Sequence, residues 1–126
     1  MKEEHVWQYI SDTHSDSVKI EVILDMPPAT EFRIHTTRFQ PGAGAEPHSH
    51  EWEHAMYIIK GTGKVKIQGK ETTVKEGMLA FVPRHATHSI LNTGEDELLV
   101  WGVSGPPKTE AGYAQLKRTG NILKQQ

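Results

Sequence analysis

The chain has 126 residues, 14 Lys and Arg against 16 Asp and Glu, a formal net charge of −2, and no cysteine. That length suits one domain with a core large enough to stand without cross-links, and the missing thiols exclude disulfides, a cysteine nucleophile, iron–sulfur clusters and thiolate metal sites. The sequence pI of about 6.4 leaves no cationic footprint for nucleic acid. No apolar run approaches the ~20 residues of a membrane helix. The opening Met-Lys-Glu-Glu-His lacks the apolar stretch of a secretion signal, so neither a membrane partner nor export is expected and a cytoplasmic location is the default.

In chain order, residues 1–17 carry no firm pattern and read as an N-terminal arm that either pairs in a dimer or lies loose. Val18–Asp25 alternates and is rich in β-branched residues, and the prolines at 27 and 28 end it. Glu31–Phe39 alternates again, before the turn cluster Gln40-Pro41-Gly42-Ala43-Gly44. Ala55–Lys60 reads as a buried strand. Lys64–Gln68 puts Val and Ile on one face and Lys on the other, and Gly69-Lys70 turns it into Glu71–Lys75. Met78–Val82, His88–Asn92 and Glu97–Val103 complete the set. Short strands at roughly eight- to twelve-residue spacing predict an all-β sandwich or barrel over 18–104. After Gly105-Pro106-Pro107, the extension 105–126 carries one predicted short helix at Thr109–Arg118.

The histidines carry the chemistry. Residues 47–54 read Pro-His-Ser-His-Glu-Trp-Glu-His. On a strand, His48 and His50 share a face, some 6.5–7 Å apart along the chain. His54 re-enters after a small turn, and His88 arrives from a distant strand. Singly, each reads as a surface histidine. Together, a close pair, a near neighbour and one far residue read as ligands of a single ion, for which neutral imidazole is a good donor. Four neutral ligands leave the cation's charge uncompensated, and an ion preferring six-coordination keeps two positions for water or substrate. Glu51 or Glu53 is the rival ligand to His54, and Glu53 is also a candidate acceptor for an imidazole N–H.

These segments resemble the two cupin motifs. Gly42, His48, His50, His54 and Gly61 match the spacing of the first; Gly77, Pro83, His88 and Asn92 match the second. The chain departs from the usual pattern at His54, where glutamate is common, and at His85, where glycine is common. The run His-Ser-His-Glu-Trp-Glu-His is similar to that of small single-domain bacterial cupins that hold manganese with four histidines. The resemblance covers roughly 18–103. It implies a jelly-roll β-barrel (double-stranded β-helix) with the ion inside its mouth, His48, His50, His54 and His88 as ligands, and one divalent transition metal per chain. Mn is preferred; Fe, Ni, Co, Cu and Zn are compatible. It also implies a homodimer and a dioxygenase-like oxidation of a small organic molecule. The alternatives are a non-catalytic ligand-binding module and an isomerase or lyase, which needs a base from among His35, Tyr57 and Tyr113.

Around such a site, Trp52, Met56, Ile58, Phe81, Ile90 and Trp101, with Val100, are candidates for the pocket wall. His54, Met56 and Ile58 share one face by alternation, as do His88 and Ile90. His35 is either a proton carrier beside the ion or an outward, solvated ring. Arg38 is a candidate clamp for a carboxylate if its strand turns it inward. His85 reads as an exposed turn residue, and Lys64, Lys66 and Lys70 as a solvated hairpin face.

Overall fold

The computed structural model describes residues 2–3, 6–7, 10–13, 16–24 and 31–106. Twelve strands are present among them. Three short ones come first: β1 (Lys2–Glu3), β2 (Val6–Trp7) and β3 (Ile10–Thr13). β4 (Val18–Leu24), β5 (Arg33–Phe39), β6 (Gly44–His48) and β7 (His54–Lys60) follow. The last five are β8 (Thr62–Ile67), β9 (Lys70–Lys75), β10 (Leu79–Val82), β11 (His88–Asn92) and β12 (Leu98–Ser104). They form two antiparallel sheets, β10-β7-β12-β5-β4-β3 and β6-β11-β8-β9, with β1 and β2 as a separate pair. This is an all-β jelly-roll architecture. No helix among the described residues is long and apolar enough to cross a membrane.

The core lies between the sheets. Phe39, Met56, Ile58, Val82, Leu98 and Val100 from the larger sheet meet Val65, Val74 and Ile90 from the smaller. The two-residue period of each strand achieves this: Leu98, Val100, Gly102 and Ser104 are buried along β12, while Trp101 between them is exposed.

The sequence reads no strand over all of β6: Gly44 falls at the end of the turn cluster 40–44 and only His48 is placed on a strand, with His50, because Gly-Ala-Glu-Pro-His has no apolar alternation. Pairing with β11 makes it a strand, and Gly44 approaches so closely that a Cβ there would lie 2.1 Å from the Ile90 carbonyl oxygen. The 1–17 arm is also more regular than its pattern suggests. β3 extends the larger sheet beside β4, with Ile10 opposite Val22. An edge strand is held through the main chain on one side only and needs no side-chain period. The predicted helix at 109–118 lies outside the described residues.

Asn92 closes the end of the barrel away from the histidines. It is 1 % exposed; its Nδ2 donates to the carbonyls of Phe39 and Asp96, and its Oδ1 accepts from the Gly94 N–H. Asn92→Ala removes three hydrogen bonds, and we expect a loss of about 2–3 kcal/mol in a urea melt. A loss below about 1 kcal/mol would show that water replaces them.

Candidate metal centre

His48 is the last residue of β6 and His88 the first of β11, and the two are direct cross-strand partners. Such partners share a face, and their ring centroids lie 4.3 Å apart. His50 sits two residues beyond β6, in the loop, with its ring 4.8 Å from that of His88 and 5.2 Å from that of His48. The indole of Trp52, itself 1 % exposed, stacks on His50 at 4.1 Å and 7°. The His50 carbonyl accepts the His85 N–H at 2.7 Å. His85 makes that contact from a left-handed backbone, φ 64°, a conformation glycine adopts without strain; this accounts for the glycine usual at its position. The His85 side chain is exposed.

Main-chain carbonyls set the tautomers. Nδ1 of His48 lies 2.6 Å from the Glu46 oxygen and Nδ1 of His88 lies 2.9 Å from the Ala86 oxygen. A carbonyl oxygen only accepts, so each Nδ1 carries the proton and each Nε2 presents its lone pair. Carbonyls thus take the orienting role expected of Glu53, whose side chain is exposed.

One ligand atom from each of His48, His50 and His88 lies within 4.8 Å of the others. That spread suits a single cation drawn in among them. Nε2 of His88 and both nitrogens of His50 and His54 are buried without a well-formed hydrogen bond. Buried imidazole nitrogens left open in this way fit a metal ion, which satisfies lone pairs that no protein donor reaches. The ring of His54, the first residue of β7, has its centroid 5.9 Å from those of both His50 and His88. The structure therefore brings three of the four expected ligands together and places the fourth beside them.

Burial favours the neutral form of His50, His54 and His88. Burial, then the neighbouring His88 and His48, lowers the His50 pKa to about 3, weakly opposed by the Trp52 backbone. Burial also holds His54 well below the usual imidazole value, helped by His35 and the other histidines. His88 is lowered by burial, with the Ala86 carbonyl opposing.

A cavity of about 80 Å³ opens onto His48, His54 and His88. Met56, Ile90 and Val100 line it, together with Val18, Ile20, Thr37, Phe39 and His35. Ile58 is buried in the core instead of on the cavity wall, and Trp52 lies behind His50. Two expected wall residues face outward. Phe81 is 51 % and Trp101 39 % exposed. Phe81 belongs to an unbroken apolar run that has no alternation to fix its side; pairing of Val82 with His54 fixes it. Trp101 follows Val100, and consecutive strand residues cannot share a face. Arg38 is also outward. Its guanidinium donates to Glu21 on β4 at 2.9 Å and to Glu97, just before β12, at 2.8 Å, so it is engaged within its own chain. Tyr57 is exposed on the outer face, and Tyr113 lies outside the described residues.

His35 is 5 % exposed and stacks on His54 at 5.7 Å and 28°. Burial, reinforced by Arg33 and His50, lowers its pKa to about 3. The sequence left its face undecided because Arg33, fully buried two residues earlier, hides the parity of β5. A further feature was overlooked. Gly102 interrupts the strand Leu98–Ser104, and a glycine inside a strand signals close approach of another group; here that group is the His35 ring.

Comparison with known proteins agrees with this fold. The profile of the cupin domain matches residues 35–103. A mannose-1-phosphate guanylyltransferase of Klebsiella pneumoniae is 31 % identical over 65 % of this chain and 17 % of its own length. An oxalate-binding protein of Thermotoga maritima is 36 % identical over 48 % of this chain and 51 % of its own. The chain thus spans between 17 % and 51 % of the length of these curated relatives. Among solved structures, an RmlC-like cupin from Shewanella frigidimarina superposes with a TM-score of 0.73 at 19 % identity, over 86 % of this chain and 96 % of that one. A polyketide cyclase from Streptomyces resistomycificus gives 0.69 at 22 %, over 94 % of each.

Proposed function

We propose that this chain, which belongs to the cupin family, holds one divalent transition metal at His48, His50 and His88, with His54 as fourth ligand, and uses it on a small organic molecule. The observation that carries the reading is the convergence of three imidazole ligand atoms within 4.8 Å, several of their nitrogens buried and without partners. A cation held there supplies Lewis acidity and open coordination positions beside the cavity. The residues themselves do the rest. Met56, Ile90 and Val100 exclude bulk water, and the cavity has no carboxylate among the described residues that line it. An anionic or chelating oxygen ligand with an apolar body suits such a charge balance.

Within this reading we take manganese as the preferred ion and an oxidoreductase of dioxygenase type as the activity. A ligand-binding role is the second reading, favoured by the similarity to a protein named for binding oxalate. A homodimer through the outer face of the larger sheet is part of the proposal, supported by the exposed Tyr57, Leu79, Phe81 and Trp101.

Metal analysis of the purified protein after incubation with Mn(II) should return about one ion per chain, and absence of retained metal would sink the reading. Oxygen uptake with phenols, diketones and alkenes then separates enzyme from binding module. His54→Glu should keep the metal while lowering the site's charge by one, so oxalate affinity should fall by about tenfold or more. Equal affinity in the two forms would remove the charge argument.

A further inference from the structure

Strands β5 and β7 are not neighbours; β12 runs between them, with Gly102 opposite both His35 and Met56. Two strand spacings are about 9.5 Å. Yet the rings of His35 on β5 and His54 on β7 stack with centroids 5.7 Å apart. They meet because position 102 has no side chain. A Cβ there would lie 2.6 Å from Nε2 and 2.7 Å from Cε1 of His35. His35 leans into the notch that the glycine leaves, toward the histidine centre.

His35 is nevertheless incompletely satisfied. Its Nδ1 is buried with no hydrogen-bond partner. A neutral imidazole presents one N–H donor and one lone pair, whichever tautomer it takes and whichever way the ring is turned. Apart from Thr37 and the histidine cluster, the cavity wall beside it is apolar. A buried polar atom of this kind implies a partner that the protein does not supply.

We infer that His35, seated over Gly102 and braced against His54, forms a polar subsite that receives the second polar group of a small ligand whose oxygen donors occupy the histidine centre. This rests on the metal-binding reading above and adds to it the ligand class. The ligand is a compact oxygen chelator carrying one further hydrogen-bonding atom and an apolar remainder small enough for a cavity of about 80 Å³. His35 acts as a binding and positioning residue, and Gly102 is what admits it.

The test uses acetohydroxamate, which has two chelating oxygens and an adjacent N–H, on the full chain loaded with Zn(II). In wild type, adding the probe should move the ¹⁵N resonances of His35; unmoved resonances with the probe bound would overturn the proposal. By calorimetry, His35→Leu should bind the probe about tenfold more weakly, and His35→Gln, which keeps a donor and an acceptor, should recover most of the loss. Gly102→Ala, which displaces the ring without altering it, should weaken the probe as His35→Leu does. All variants should retain one zinc per chain. Wild-type affinity in His35→Leu at full zinc content would overturn the subsite. Loss of zinc in His35→Leu and His35→Gln alike would make His35 a ligand and overturn it too. Failure of wild type to bind zinc at all would instead strike the metal-binding reading and take this inference with it.

Discussion

His50→Ala should leave the protein folded and almost metal-free. His50 is the ring that ties the loop to the strand pair, lying 5.2 Å from His48 and 4.8 Å from His88, and none of the described side chains is spare to replace it, since His54 is already the proposed fourth ligand. Losing even an outer partner of a metal ligand costs some 10–100-fold in affinity; losing a ligand should cost at least the upper end of that range. The stability cost is smaller and of mixed sign. The substitution uncovers one face of Trp52, but it also removes two buried imidazole nitrogens that have no well-formed hydrogen bond. Metal content by mass spectrometry and a melt by circular dichroism separate the two effects. Retention of a full equivalent of metal would mean that the ligand set is wrong.

The metal-free protein should weaken steeply as pH falls below about 6.5. The sign follows from the histidines. In the unfolded chain each titrates near its model value of 6.5, whereas burial lowers His35 and His50 to about 3 and His54 well below the model value. Below pH 6.5 the unfolded state binds protons that the folded state refuses, so acid favours unfolding. Above it both states are neutral and these groups contribute no pH dependence. Each ring that stays neutral takes about 1.4 kcal/mol per pH unit from stability. His35 and His50, both lowered to about 3, would together remove an amount comparable to the low end of a small domain's net stability within two pH units. Melting temperature measured from pH 8 to 4 should be level at the alkaline end and fall through 6 and 5, and a bound divalent ion should raise the whole curve without flattening that fall, because ligation also requires neutral rings. A level profile in the metal-free protein would mean that water enters the cluster and that the rings titrate freely.

The strands were legible where their composition alternates or is β-branched. β4, β5, β9, β11 and β12 fall within one or two residues of the pattern read from Val18–Asp25, Glu31–Phe39, Glu71–Lys75, His88–Asn92 and Glu97–Val103. β6 was not legible, because its strand character comes from its partner. The motif spacing grouped His48, His50 and His88, but not how they meet: the pattern reads His50 on one strand face with His48, yet it lies in the loop beyond β6, while His48 and His88 meet by long-range strand pairing. What the spacing does not contain is depth. Whether His54 joins the trio or stands 5.9 Å off depends on how β7 leans against β12. The wall of the cavity was legible only as far as parity could be fixed. Met56 and Ile90 follow from their neighbouring histidines, but Phe81 and Trp101 sit in runs where every residue is apolar and either face is open to them.

The parallel stack of Trp52 on His50 has an optical consequence. An indole sealed from water emits at the blue end of its range. A paramagnetic ion held by His50 would lie close enough to the stacked indole to quench that emission. Titrating such an ion into the protein should therefore dim the blue component while leaving the redder light of the more exposed Trp101 largely in place, so that the barrel reports the filling of its own centre without a label.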